Sequence, residues 1–183
     1  MDRREALALT TSFLGATLVG SQVFLGACSA PVKGAPMLTD ADIPLLNALS
    51  DGILPDSESS PGAGMAGVGR FIKAIVSDCY SREEEALFTE GLRTLESDVQ
   101  AKYGKPFPAL ISEEQLKILT AHDTEARALE ADGKPNFYSM LLQLTLWGYF
   151  SSEPGATQAL RYNPTPGRYE GCIPYRSGDK AWA

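Results

Sequence analysis

A single histidine, His122, and three cysteines, Cys28, Cys79 and Cys172, are the whole supply of imidazole and thiol metal ligands in 183 residues. A multi-histidine metal site is excluded, a four-cysteine zinc or iron–sulfur centre is excluded, and a histidine-dependent triad has only His122 to use. Basic charge is also short: 16 Lys and Arg against 23 Asp and Glu leave a formal charge of −7. Nucleic acid demands a basic footprint, so it is not an expected partner. Strand alternation is missing beyond a few residues, and there is no internal repeat. With 44% hydrophobic and 21% charged residues, the chain reads as a single globular domain.

The N-terminus follows a different plan from the rest. Arg3 and Arg4 precede an apolar run from Ala6 to Ala27 that is diluted by Thr10, Thr11, Ser12, Thr17, Ser21 and Gln22. A charged start, an apolar middle and a small-residue end make an export signal, and the paired arginines resemble the twin-arginine type. The dilution argues against a permanent spanning helix, which needs about 20 cleanly apolar residues. Leu25-Gly26-Ala27-Cys28 resembles a lipobox, which would make Cys28 the first mature residue and the point of lipid attachment. Cleavage near Ala30 to a soluble product, or retention of the segment as an anchor, are the alternatives. The expected division is therefore a signal over 1–27, a tether over 28–37 and a helical domain over 38–183.

From Thr39 onward the spacing of apolar residues is helical. Thr39 with Asp42 predicts a capping box, and Ile43, Leu46, Leu49 and Ile53 share one face up to Pro55. After a Ser-, Pro- and Gly-rich loop, Val68, Ile72, Ile75, Val76 and Cys79 form a second stripe. Ser81 with Glu84 caps a third helix ending at Gly104, and Ser112 with Gln115 opens a fourth carrying Leu116 and Leu119. The fifth, after Pro135, is the most apolar. The expected architecture is all-α, a five- or six-helix bundle with an irregular C-terminal arm.

Several residue groups invite a chemical reading. Gly62-Ala63-Gly64-Met65-Ala66-Gly67 matches the dinucleotide fingerprint G-x-G-x-x-G but follows no strand, so it reads as a flexible loop leading into a helix. Glu83-Glu84-Glu85 falls in the first turn of a helix, where negative charge complements the dipole. His122 sits in a polar stretch with no nucleophile identified beside it. With Cys28 lipidated, Cys79 and Cys172 remain as an even pair in an oxidising compartment. A bridge between them would contribute about 4–5 kcal/mol, whereas Cys79 also suits a buried position on its stripe. The fifth helix carries more aromatics than one face buries, which makes it either central and covered all round, the commoner case, or partly turned to a partner. The arm from Tyr162 keeps Tyr169, Tyr175 and Trp182, a density that a disordered tail lacks; it is expected to dock, on its own helices first and otherwise on a partner.

The order of these parts resembles the gluconate 2-dehydrogenase subunit 3 family. The residues that carry the resemblance are the twin-arginine leader, Leu38–Ile43, Gly52-Ile53-Leu54-Pro55-Asp56, Pro61-Gly62-Ala63, Gly67-Val68 with Phe71-Ile72, and Gly148-Tyr149-Phe150-Ser151-Ser152 followed by Gly155 and Tyr162. Glu153–Gln158 departs from the Gly-Gly-Asn that often follows this turn in the family. The resemblance implies a small, non-catalytic subunit that binds no cofactor of its own. Its implied partner is an FAD-dependent large subunit of the glucose–methanol–choline oxidoreductase type, in some complexes joined by a cytochrome c subunit.

On this reading the chain escorts its partner through twin-arginine export and holds it at the membrane as a periplasmic lipoprotein. Arg3 and Arg4 are the export signal, Cys28 the anchor, and Trp147, Tyr149, Phe150, Tyr162, Tyr169, Tyr175 and Trp182 the candidate interface. The rival readings are a free-standing lipoprotein hydrolase using His122 and a structural or solute-binding lipoprotein.

Overall fold

The computed structural model describes residues 37–165, 167–168 and 171–182. Its first helical segment begins where the sequence predicts. The backbone N–H of Thr39 donates to Asp42 Oδ2 at 2.7 Å, and its hydroxyl donates to the same oxygen at 3.0 Å. A 3₁₀ turn, Asp40–Asp42, leads into α1, Ile43–Ile53, which carries Pro44 in its first turn, where the missing N–H costs nothing. On its core face Leu46 and Leu49 are fully buried, while Ile43 and Ile53 are partly covered.

Helix α2, Val68–Cys79, buries Val68, Ile72 and Val76 as predicted, but Cys79 is exposed. The helix ends at Cys79 and the backbone turns extended at Tyr80, so the stripe has run out of neighbours by that residue. Helix α3, Arg82–Tyr103, has the predicted reciprocal cap: the Glu84 N–H donates to Ser81 Oγ at 3.2 Å, and the Ser81 N–H donates to Glu84 Oε2 at 2.9 Å. Gly104 closes it at φ +67°, a left-handed conformation that costs other residues energy.

The fourth predicted start is corrected. Helix α4, Ser112–Ala131, has no side-chain cap. Gln115 instead donates its amide to the Phe107 carbonyl at 3.0 Å, pinning the preceding 3₁₀ turn, Phe107–Ala109, whose phenyl ring is buried. Leu116, placed on the core stripe from sequence, is 60% exposed; Leu119 and Ala126 carry that face. Helix α5, Phe137–Phe150, is capped by Asn136, whose Oδ1 accepts from the Ser139 N–H at 2.9 Å.

Helix α5 is the central element. It packs against α2, α3, α4 and α1, and these four contribute Ile72, Phe88, Leu92, Leu119 and Leu46 to a continuous core around Leu141 and Leu144. Burying each such side chain stabilises the fold by about 1.5–3 kcal/mol relative to exposure. One buried polar contact crosses this core, Ser50 Oγ to Thr145 Oγ1 at 3.3 Å, joining α1 to α5. A π-helical turn, Gly155–Ala159, follows, and then the arm.

Five α-helices with no strand among the described residues make the fold all-α, in agreement with the sequence expectation. No helix among these residues is long and apolar enough to cross a membrane.

Candidate docking surface

The last two turns of α5 divide their aromatics between core and solvent. Gly148 lets the helix approach Phe71 so closely that a Cβ there would overlap its ring. This brings Trp147 edge-on to Phe71, with ring centroids 5.3 Å apart. Tyr149 turns inward: it is 4% exposed and its hydroxyl donates to the Pro61 carbonyl at 2.8 Å. Trp147 and Phe150 turn outward, 56% and 38% exposed, next to the exposed Leu146. The helix is therefore central without being covered all round, and the aromatic excess seen in sequence corresponds to an apolar strip in solvent. Tyr149 is removed from the candidate interface, because its ring is committed to the core.

The arm does not dock on its own helices as expected. Tyr162, Ile173, Tyr175 and Trp182 are all exposed. Instead the arm returns to its own start. The Arg161 N–H donates to the Ala181 carbonyl at 2.8 Å, the Arg161 guanidinium lies 4.7 Å from the Trp182 ring centroid, and Lys180 Nζ donates to the Gln158 carbonyl. Pro164 and Pro174 keep the backbone from coiling. Tyr169, like Arg3, Arg4 and Cys28, lies outside the described residues.

The glycine-rich loop has its amides already engaged. The Gly62 N–H donates to Asp56 Oδ1 at 2.5 Å, and the Gly64 N–H donates to Asp51 Oδ1 at 2.6 Å. A dinucleotide site needs such amides free to face a pyrophosphate; here carboxylates stand in that place, and a Cβ on Gly64 would meet the Asp51 side chain rather than an open cradle. The loop does not fit a dinucleotide. It is also held rather than flexible, because Asp51 and Asp56 tether it.

His122 lies half-buried on α4 with its ring stacked on Tyr138, centroids 6.2 Å apart and planes 17° from parallel. A nucleophile bonded to it is missing among the described residues. The nearby Thr94 hydroxyl donates to the Glu90 carbonyl at 2.9 Å, which is the ordinary helical contact. The arrangement does not build a triad. Among the described residues no three His, Cys, Asp or Glu side chains converge to hold a metal ion. Cys79 and Cys172 are both exposed and both free, without a bridge between them in this structure.

A family model described as Gluconate 2-dehydrogenase subunit 3 matches residues 40–167. The chain belongs to that family. The match begins in the first 3₁₀ turn, takes in all five helices and the exposed Trp147 and Phe150, and ends within the arm. Membership makes the chain a subunit of an oxidoreductase complex. No curated protein and no solved structure matches the chain.

Sequence reasoning missed two features of this surface. The carboxylate pair under the glycine loop leaves no local signal, since Asp51 and Gly64 are 13 residues apart. The split between inward Tyr149 and outward Phe150 was legible in principle, because adjacent helical positions point about 100° apart.

Proposed function

We propose that the chain is the non-catalytic accessory subunit of an FAD-dependent, glucose–methanol–choline-type sugar or polyol dehydrogenase. Family membership over residues 40–167 carries this reading. The exposed strip of Leu146, Trp147 and Phe150, together with the exposed Tyr162, Tyr175 and Trp182 of the arm, supports it as a chain with surface for the large subunit, since aromatics dominate the anchors of protein interfaces. FAD and the oxidative chemistry belong to that large subunit, with a cytochrome c subunit as a further member of some complexes.

In this proposal Arg3 and Arg4 direct twin-arginine export of the assembled pair, and lipid on Cys28 holds it at the periplasmic face of a membrane. A folded flavoprotein is the kind of cargo that a chain with no cofactor site of its own would escort. Changing Arg3 and Arg4 together to Lys, with the large subunit co-expressed, should leave the flavoprotein in the cytoplasm. Unchanged appearance of flavoprotein in the periplasm would refute the escort role.

A further inference from the structure

The solvent side of α5 carries no charge. At 100° per residue, Ser139, Gln143, Leu146, Trp147 and Phe150 fall within about 100° of one another around the helix axis, and all but the partly buried Ser139 are exposed. No Asp, Glu, Lys or Arg occurs from Phe137 to Phe150, in a chain where 21% of residues are charged. The face is uneven. Trp147 and Phe150 project at its C-terminal end, and at its N-terminal end an open hollow of about 320 Å³ lies among Pro135, Ser139, Met140, Leu142 and Leu146. The rim of the hollow carries one charge of each sign, Glu130 and Lys134.

A patch with a projection at one end and a hollow at the other matches itself when a second copy is turned through 180°, which is what a two-fold contact requires. The spacing on α5 meets that requirement. A two-fold axis through the point midway between Gln143 and Leu146 sets Phe150 opposite Ser139, Trp147 opposite Leu142 and Leu146 opposite Gln143. The two projecting rings of each copy thus meet the hollow of the other, and no charged side chain of the helix leaves water.

We propose that in the free chain this face is covered by the same face of a second copy, with the two α5 helices antiparallel about that axis. The contact is small. A 14-residue helix is about 21 Å long and its face about 10 Å wide, so the pairing covers on the order of a few hundred Å² per copy, against about 800 Å² in a stable interface. The dimer is therefore weak and exchangeable. It keeps Trp147 and Phe150 out of water until the large subunit displaces the second copy. That displacement, unlike the dimer itself, rests on the accessory-subunit reading above. Each copy carries a formal charge of −7, so the dimer tightens as salt screens the repulsion, the reverse of an ion-paired contact.

The test is sedimentation equilibrium of the full chain in a mild detergent, over a range of protein and salt concentrations. Wild type should form a reversible dimer that strengthens with salt. Gln143→Arg and Gln143→Glu each set like charges close to the axis and should weaken association at least about tenfold, while an equimolar mixture of the two should restore it. Gln100→Arg on α3 is the control and should change nothing. Thermal unfolding of each variant checks that the fold is kept. A wild-type chain that stays monomeric at about 1 mM, or a dimer indifferent to both Gln143 variants, overturns the dimer and leaves the accessory role standing. Adding the flavoprotein large subunit should yield one chain per flavin. Two chains per flavin, still sensitive to the Gln143 variants, would overturn the displacement. Failure to bind any flavoprotein would remove the accessory reading and leave the dimer standing.

Discussion

Arg93 of α3 reaches across to Asp42 at the foot of α1, with Nη1 2.5 Å from Oδ1, and the Asp42 side chain is only 6% exposed. Burial alone would raise the carboxyl's pKa. Hydrogen bonds from Arg93 and from Thr39 outweigh it and hold Asp42 below its ordinary value. A carboxylate depressed in the fold contributes stability above its unfolded pKa and loses it as pH falls through the folded one. Asp42→Asn should therefore cost about 2 kcal/mol at neutral pH, measured as a lower urea midpoint. The difference from wild type should shrink as the pH is taken below about 4.

Asp51 should behave in the opposite sense. Burial raises its pKa, the Gly64 amide partly offsets this, and the charge of Asp56 raises it further. A carboxylate whose folded pKa is raised favours the fold only while protonated, and that contribution is lost as pH rises through the folded value. Asp51→Asn keeps an oxygen for the Gly64 N–H and removes the buried charge. Its urea midpoint at neutral pH should match or exceed wild type, in contrast to Asp42→Asn. A loss above about 1 kcal/mol would show that the charge itself holds the loop.

Adjacent residues on α5 separate stability from binding. Tyr149→Phe removes the bond to the Pro61 carbonyl and should cost about 1 kcal/mol in urea unfolding, with recovery of the large subunit unchanged per folded molecule. Trp147→Ala with Phe150→Ala gives up the ring contacts with Phe71 and Tyr149 and should also cost stability, but it should in addition lower recovery of the large subunit about tenfold or more per folded molecule.

Cys79 and Cys172 are free and exposed. Both should therefore take up an alkylating reagent in the native, unreduced mature chain whose Cys28 is blocked by lipid, seen as two added groups by intact mass. A mass two hydrogens lower, with no label taken up until reductant is added, would show the bridge that the export context permits.

Legibility in the sequence followed the range of the interaction. The caps at Thr39 and Ser81, the stop at Gly104 and the α2 stripe from Val68 to Val76 depend on neighbours within four residues, and each appears in the fold at its expected place, while Cys79 at the stripe's end is exposed. The Ser112–Gln115 pairing failed because the helix is capped one residue earlier, at Ile111, and the Gln115 amide donates instead to the Phe107 carbonyl, eight residues back. Contacts across longer separations left no trace: Asp42 with Arg93, Tyr149 with Pro61, and Ser50 with Thr145, 95 residues apart. The aromatic surplus on α5 raised an unburied face only as the less common alternative to a helix covered all round, and did not say which rings belong to it.

The clasp between Arg161 and Ala181 brings the two ends of the arm to one point. Whatever lies between them is a closed excursion whose length the helices do not sense. The entropy of closing such a loop grows only with the logarithm of its length, so doubling it costs about 0.6 kcal/mol. The stretch between the clasp residues should therefore accept insertions or a new sequence while the bundle keeps its stability, which makes it the place to graft a new recognition segment.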